Sequence, residues 1–225
     1  MRIIRKNLVF ICCVLIIFPL FFCACKKDSP LLDRVVELRS DIFEAKCEYF
    51  PLIANYGYSE NPYMADGVIS KKNYFLEFKI VGRTYSNVET YVKFTCNEKE
   101  YKVNFELDPV THSVKAKTPV DNFDYKTFNA TIYYGSEKEE LTFNSILPQN
   151  TISHEYALER LSKEQKALID SFRDQNGDFM GEITARVIVK NGAPYWYIGI
   201  STPSQTKALL IDGLTAKTLA IREIF

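Results

Sequence analysis

Tyr74, Leu76, Phe78 and Ile80 alternate along the chain with Phe75, Glu77 and Lys79, and Tyr101, Val103, Phe105 and Leu107 alternate with Lys102, Asn104 and Glu106. A period of two sends successive side chains to opposite faces, so each stretch predicts a strand with one buried and one wet face. Residues 88–95, 113–118, 128–134 and 139–146 add further short strands, and Gly135-Ser136 predicts a hairpin between the last two. Before them, residues 31–43 read equally as a short helix or an opening strand. Residues 45–55 form a candidate strand bent at Pro51. Residues 56–67 carry the breakers Asn61-Pro62 and Asp66-Gly67 and predict a turn region. Short strands separated by regular turns predict an antiparallel β-sandwich over residues 31–148.

The pattern changes after Pro148. Leu158, Leu161, Leu168, Ile169 and Phe172 fall at helical spacing, so residues 153–173 predict a helix. Ser162 to Gln165 resembles a capping box and allows a break or restart at Ser162. Asn176-Gly177 is a helix exit, and Asn191-Gly192 is a strong hairpin signal between two strands. Further strands at residues 195–200, 207–212 and 218–224 complete an antiparallel meander. Residues 149–225 therefore predict one helix on a small meander, and the whole chain predicts an α+β fold.

The N-terminus predicts a targeting segment. Arg2, Arg5 and Lys6 precede a run from Leu8 to Cys25 that contains no charged residue and holds Pro19. That run is at the short end for a spanning helix and suits a secretory signal. Phe22-Cys23-Ala24-Cys25 resembles the lipobox of bacterial lipoprotein signal peptides. The resemblance implies that residues 1–24 are removed, that a diacylglycerol is attached to Cys25, and that residues 25–30 form a lipidated stalk. Phe22 and Cys23 depart from the residues usual there, and an uncleaved signal anchor is the alternative. Both readings place the body outside the cytoplasm, because the positive flank stays inside.

The 28 basic and 28 acidic residues cancel, so no basic field is left for nucleic acid. Cys12, Cys13 and Cys23 lie in the apolar run, which leaves Cys47 and Cys96 in the body as a candidate disulfide or as two buried thiols.

Residues 155–225 resemble a PepSY-type domain. The likeness lies in the order of helix, aromatic strand YWYIGI and ending KALLIDGLTAKTLAIREI, with Tyr197, Asp212, Thr215 and Leu219 in comparable places. Gly213 and Ala216 depart from the family's pattern. The resemblance implies a non-catalytic module that modulates a peptidase or binds a partner. Residues 31–148 are similar, at the level of fold, to immunoglobulin-like sandwiches of bacterial surface proteins, which implies no activity.

Catalytic patterns are incomplete. His154-Glu155 lacks the second histidine of a zinc helix, since position 158 is leucine. His112 sits in a turn without a nearby nucleophile. Ser204 to Lys207 spells a serine–lysine motif in a turn rather than at a helix start. Asp174, Asn176 and Asp178 begin like a calcium loop, but Phe179 and Ala185 stand where it needs glycine and glutamate. We therefore expect no enzyme, no metal and no cofactor. The candidate binding residues are Tyr195, Trp196 and Tyr197, with Tyr56, Tyr58 and Tyr63 in the aromatic turn region. The expected function is a membrane-anchored extracytoplasmic binding or peptidase-modulating module. An envelope hydrolase assembled from scattered Asp, Glu and Tyr residues, or a structural envelope component, is the alternative.

Overall fold

The structure is a computed structural model that describes residues 31–60, 68–82, 88–109 and 111–224. Among the described residues thirteen strands form one sheet, in which the first and tenth run parallel and the other paired strands antiparallel. The organising element is β1 (Val35–Lys46), which follows a short 3-10 turn at Leu32–Arg34. One edge of β1 pairs antiparallel with β2 (Pro51–Glu60) along nearly its whole length. The other edge is divided. Val35 to Arg39 pair with β10 (Glu182–Lys190), and Phe43 and Glu44 pair with β9 (Glu137–Ser145).

From this divided strand the sheet runs two ways. In one direction β2, β3 (Lys72–Ile80), β7 (Val114–Pro119) and β6 (Glu106–Leu107) follow in order, while β9, β8 (Thr127–Tyr134), β4 (Thr90–Cys96) and β5 (Lys99–Asn104) return from the other side. The two arms nearly close into a barrel, with the chain crossing the gap at Phe105, whose N–H bonds Thr90 O at 2.9 Å. The barrel core is aromatic. Phe43, Phe78, Phe128 and Phe143 are buried together, with Phe128 and Phe143 stacked at 4.9 Å.

In the other direction β10, β11 (Ala193–Ser201), β12 (Thr206–Asp212) and β13 (Thr218–Ile224) form a meander. Its strands supply Ile183, Ala185, Ile198, Ile200 and Leu209 to a second core, which α1 (His154–Glu164) joins through Ala157, Leu158 and Leu161. Full burial of each leucine stabilises by about 1.5–3 kcal/mol. Ser153 caps α1 by accepting from Tyr156 N. A short α2 (Lys166–Asp170) follows a break at Gln165. Asn191 and Gly192 turn β10 into β11 with φ of 52° and 76°, as a two-residue hairpin of this kind requires.

The expectation of an α+β chain, with a separate immunoglobulin-like sandwich before a small α+β unit, is corrected. The protein is mostly β, with 57% of residues in strands, and its single sheet nearly closes into a barrel. The physical reason is β1. Adjacent residues Ile42 and Phe43 enter different cores, Ile42 the second and Phe43 the barrel. One strand thus walls both, and no seam separates two layers. Three local expectations also change. Residues 56–60 are strand rather than turn, residues 101–107 are two strands meeting at Phe105, and the helix breaks at Gln165 while Ser162 stays inside α1.

Gly57 fixes the spacing of β1 and β2. A Cβ there would lie 1.8 Å from Leu38 O and 2.9 Å from Arg39 Cα, both backbone atoms that cannot swing aside. Gly57→Ala is expected to lower the unfolding free energy by about 3 kcal/mol, as overpacking against backbone does. Urea unfolding checks this. A loss below about 1 kcal/mol would show that β1 can move off β2.

Candidate functional site

The glycine at position 57 also opens a path over β2. Arg39 on β1 and Phe75 on β3 both pair with Gly57, from opposite sides. With no side chain between them, Arg39 crosses β2 and reaches β3. Its Nη1 lies 2.5 Å from Glu77 Oε1, and its guanidinium carbon lies 5.7 Å from the centre of the Phe75 ring. Its Nε bonds Glu37 Oε1 at 2.9 Å, and Arg186 on β10 bonds Glu37 Oε2 at 3.1 Å. The chain Arg186–Glu37–Arg39–Glu77 therefore ties four residues of three strands across the sheet. Lys117 on β7 comes from the far side, with Nζ 3.7 Å above the Phe75 ring centre. This is within the range of a cation–π contact.

Of these, Glu37, Arg39, Phe75 and Lys117 line an open groove of about 1010 Å³. Phe75 and Pro119 give it an apolar strip, Tyr74 borders it from the other face of β3, and Arg39, Lys117, Lys71, Lys72, Glu37, Glu60 and Asp121 give it charge. Phe75 and Glu77 stand on the alternate face that the sequence marks as wet, yet only 3% and 4% of their surfaces are exposed. Burial opposes the charge on Glu37, but Arg186 and Arg39 outweigh it and hold the carboxyl below its usual range. Burial also lowers the Lys117 and Lys72 ammonium groups, against the pull of Glu77 on the first and of Asp33 and Glu60 on the second.

Tyr58, at the end of the groove, packs edge-on to Tyr74 at 5.5 Å and lies 5.1 Å under Lys72 Nζ. Burial pushes its hydroxyl up to about 12, and Tyr74 and Glu155 add to the shift. Tyr56 stacks on Tyr74 at 6.0 Å but is buried in the barrel core. Trp196 is a core residue too, 2% exposed, and its Nε1 donates to Ile152 O at 3.0 Å. Tyr195 and Tyr197 flank it on the opposite face of β11 and are half-buried. The six aromatic candidates therefore do not form one surface. Tyr58 alone adjoins the groove, and Tyr63 and Cys25 lie outside the described residues.

Cys47 and Cys96 are free thiols. Cys47 Sγ bonds Glu139 Oε2 at 3.0 Å, and burial together with that carboxylate pushes the thiol up, away from nucleophilic behaviour. Burial likewise raises Cys96. Asp174 spends Oδ1 on the N–H groups of Asn176 and Asp178, both at 2.9 Å, which shapes a turn. Ser204 lies in the turn before β12. His154 stands at the start of α1, where burial lowers its titration against the pull of Glu155.

The groove residues escape a sequence reading because they are brought together by pairing across four strands. One signal was present, since an apolar Phe75 among Glu77 and Lys79 on a nominally wet face marks a covered patch. Two measurements test the site. Arg39→Met leaves Glu77 buried without its arginine and is expected to cost about 3 kcal/mol, while Arg39→Met with Glu77→Leu restores most of it. Glu37 contributes stability that is present above its ordinary value of 4.5 and lost as pH falls through its lower folded value. In urea titrations below pH 4.5 the wild type should therefore lose stability more steeply than Glu37→Gln. Equal slopes would contradict the arginine clamp. No family model matches the chain, and no curated protein or solved structure matches it.

Proposed function

We propose that this chain is a lipoprotein, held on the extracytoplasmic face of a cell membrane by acyl chains on Cys25, and that its folded part is a non-catalytic binding module. Its partner is another extracytoplasmic molecule, with a peptidase as the first candidate. The observation that carries the binding reading is the groove over Phe75. Its floor carries charge held in place, because Glu37 is engaged by both Arg39 and Arg186. An apolar strip beside preset charges is the chemistry of recognition. The anchoring reading rests on Arg2, Arg5 and Lys6, the uncharged run and the lipobox-like Phe22 to Cys25. Among the described residues no helix is long and apolar enough to cross a membrane.

The PepSY-like reading of residues 155–225 belongs to the same proposal. Helix and meander follow in the family's order, and Ala216 sits at φ 63°, the left-handed conformation that a glycine would serve. Asp212 organises that turn, accepting from Leu214 N and Thr215 N at 2.9 and 2.8 Å.

Two experiments test the proposal. Mass spectrometry of the native protein should find Cys25 as the N-terminal residue, bearing acyl chains, and an unmodified Met1 terminus would contradict the anchor. Full-length protein carrying Lys117→Glu should fail to capture from cell-envelope extract a molecule that the wild type retains. Equal capture by both would remove the groove as the recognition surface.

A further inference from the structure

The charges around Lys117 are paired with one another, and Lys117 itself is not. Backbone pairing sets Glu37, Ser59 and Asn73 in one row across the sheet, Arg39, Gly57, Phe75 and Pro119 in the next, and Glu77 and Lys117 in the row after. Directly opposed and alternate residues share a face, so all these side chains stand on the side away from the barrel core. The charges that act most on Lys117 are Glu77 and Glu37, which favour its ammonium, and Arg39 and Lys115, which oppose it. All four are already in ion pairs. Arg39 holds Glu77 and Glu37, Arg186 also holds Glu37, and Lys115 holds Asp108 at 2.7 Å. Four cations, Arg39, Arg186, Lys115 and Lys117, therefore face three carboxylates, Glu37, Glu77 and Asp108, and among the described residues Lys117 forms no ion pair. It is exposed, and it is held by the Phe75 ring 3.7 Å from its Nζ and by a long hydrogen bond to Ser59 Oγ at 3.5 Å. Ser59 accepts in that bond, which leaves its O–H to donate, and Asn73 lies directly opposite it on the groove lining.

We propose that the groove takes a single carboxylate, an aspartate or glutamate side chain of a protein partner, seated on the Lys117 ammonium with the Ser59 hydroxyl and the Asn73 amide as further donors. The inference rests on the binding function proposed above and names the chemistry of its ligand. Charge separates the candidate classes. A cation would meet Arg39 and Lys117, which already share the Phe75 ring. A phosphate monoester brings close to two negative charges against one uncompensated positive charge, and Glu37 on the lining opposes the second. A purely apolar group finds little surface, since Phe75 is 3% exposed and only Pro119 beside it is open. A carboxylate balances Lys117 with one group. Asp121, two residues past Pro119, also lines the groove but acts on Lys117 less than the four paired charges do. The groove is open, so an acidic side chain on the surface of a folded partner can enter it.

Zero-length cross-linking of the full chain in intact cells tests this on the wild type. A water-soluble carbodiimide joins an amine to a carboxylate in contact with it, forming an amide while the reagent takes up the water. Mass spectrometry of the digested protein then reads which residues are joined. Lys115 and Asp108, in contact within the chain, should be linked in the same sample and show that the reagent reaches this face. Lys117 should be linked to an aspartate or glutamate of another polypeptide. If Lys115 is linked while Lys117 is unmodified, or is joined only to Glu77 or Asp121 of its own chain, or to a phosphate, the inference is overturned. A second measurement compares variants in capture from cell-envelope extract. Lys117→Arg keeps the charge and should retain the partner, whereas Lys117→Met should bind it about ten- to hundredfold more weakly, the loss expected of one charge-assisted hydrogen bond. Equal binding by Lys117→Met also overturns the inference. If the carboxylate link is absent but Lys117→Glu still loses its partner, the groove recognises a different ligand and the binding function stands. If Lys117→Glu loses nothing, the binding function fails as well.

Discussion

Everything in this protein hangs on the pairing of β1. Its twelve residues meet β2 on one edge, and on the other meet β10 first and β9 next. A strand that changes neighbour along its length must serve two environments. Ile42 and Phe43 show how, since alternation sends adjacent residues to opposite faces and each face has its own core. The barrel and the meander with its helix are therefore halves of one sheet rather than two units joined by a linker. Side chains in both cores are ordered by the same backbone hydrogen bonds.

The groove is a consequence of the same strand. Arg39 reaches Glu77 because β2 offers glycine where the arginine crosses, and Arg186 reaches Glu37 because β10 runs parallel beside β1. The ion pairs are partly buried, so their worth lies less in net stability than in fixing where charges stand, since desolvation offsets much of their attraction. Arg39 and Lys117 also approach Phe75, which places an apolar ring beneath two cations.

The sequence made much of this legible. Period-two runs marked β3 and β5, short apolar stretches marked β8 and β9, Gly135-Ser136 and Asn191-Gly192 marked hairpins, and the apolar stripe of α1 was plain. β1 was not, and the cause is physical. Two irregularities in its pairing, at Val35–Glu37 and at Arg39–Asp41, break the alternation, and residues facing two cores make both faces partly apolar. A strand of that kind resembles a helix as much as a strand. The barrel was missed for a related reason, because short alternating strands pattern alike whether sheets stack or curl. Among the site residues, Tyr58 was legible as an aromatic near a turn. Glu37, Arg39, Glu60 and Glu77 were not, since nothing local distinguishes a charge bound across four strands from one in water. Trp196 misled in the opposite way, because an aromatic flanked by tyrosines on a strand has one face for a core and one for solvent.

The shared strand has one direct physical consequence, which is joint unfolding. Trp196 is the chain's single tryptophan and its fluorescence reports on the second core, while the packed tyrosine and phenylalanine rings of the barrel contribute near-ultraviolet circular dichroism at wavelengths below the tryptophan bands. The decisive measurement follows both signals through one urea titration of the full chain. Coincident transitions with equal midpoints and slopes are the predicted result, because neither core can lose β1 without the other. A tryptophan transition that is complete while the barrel signal is still native would contradict the account, since the two cores would then be independent units.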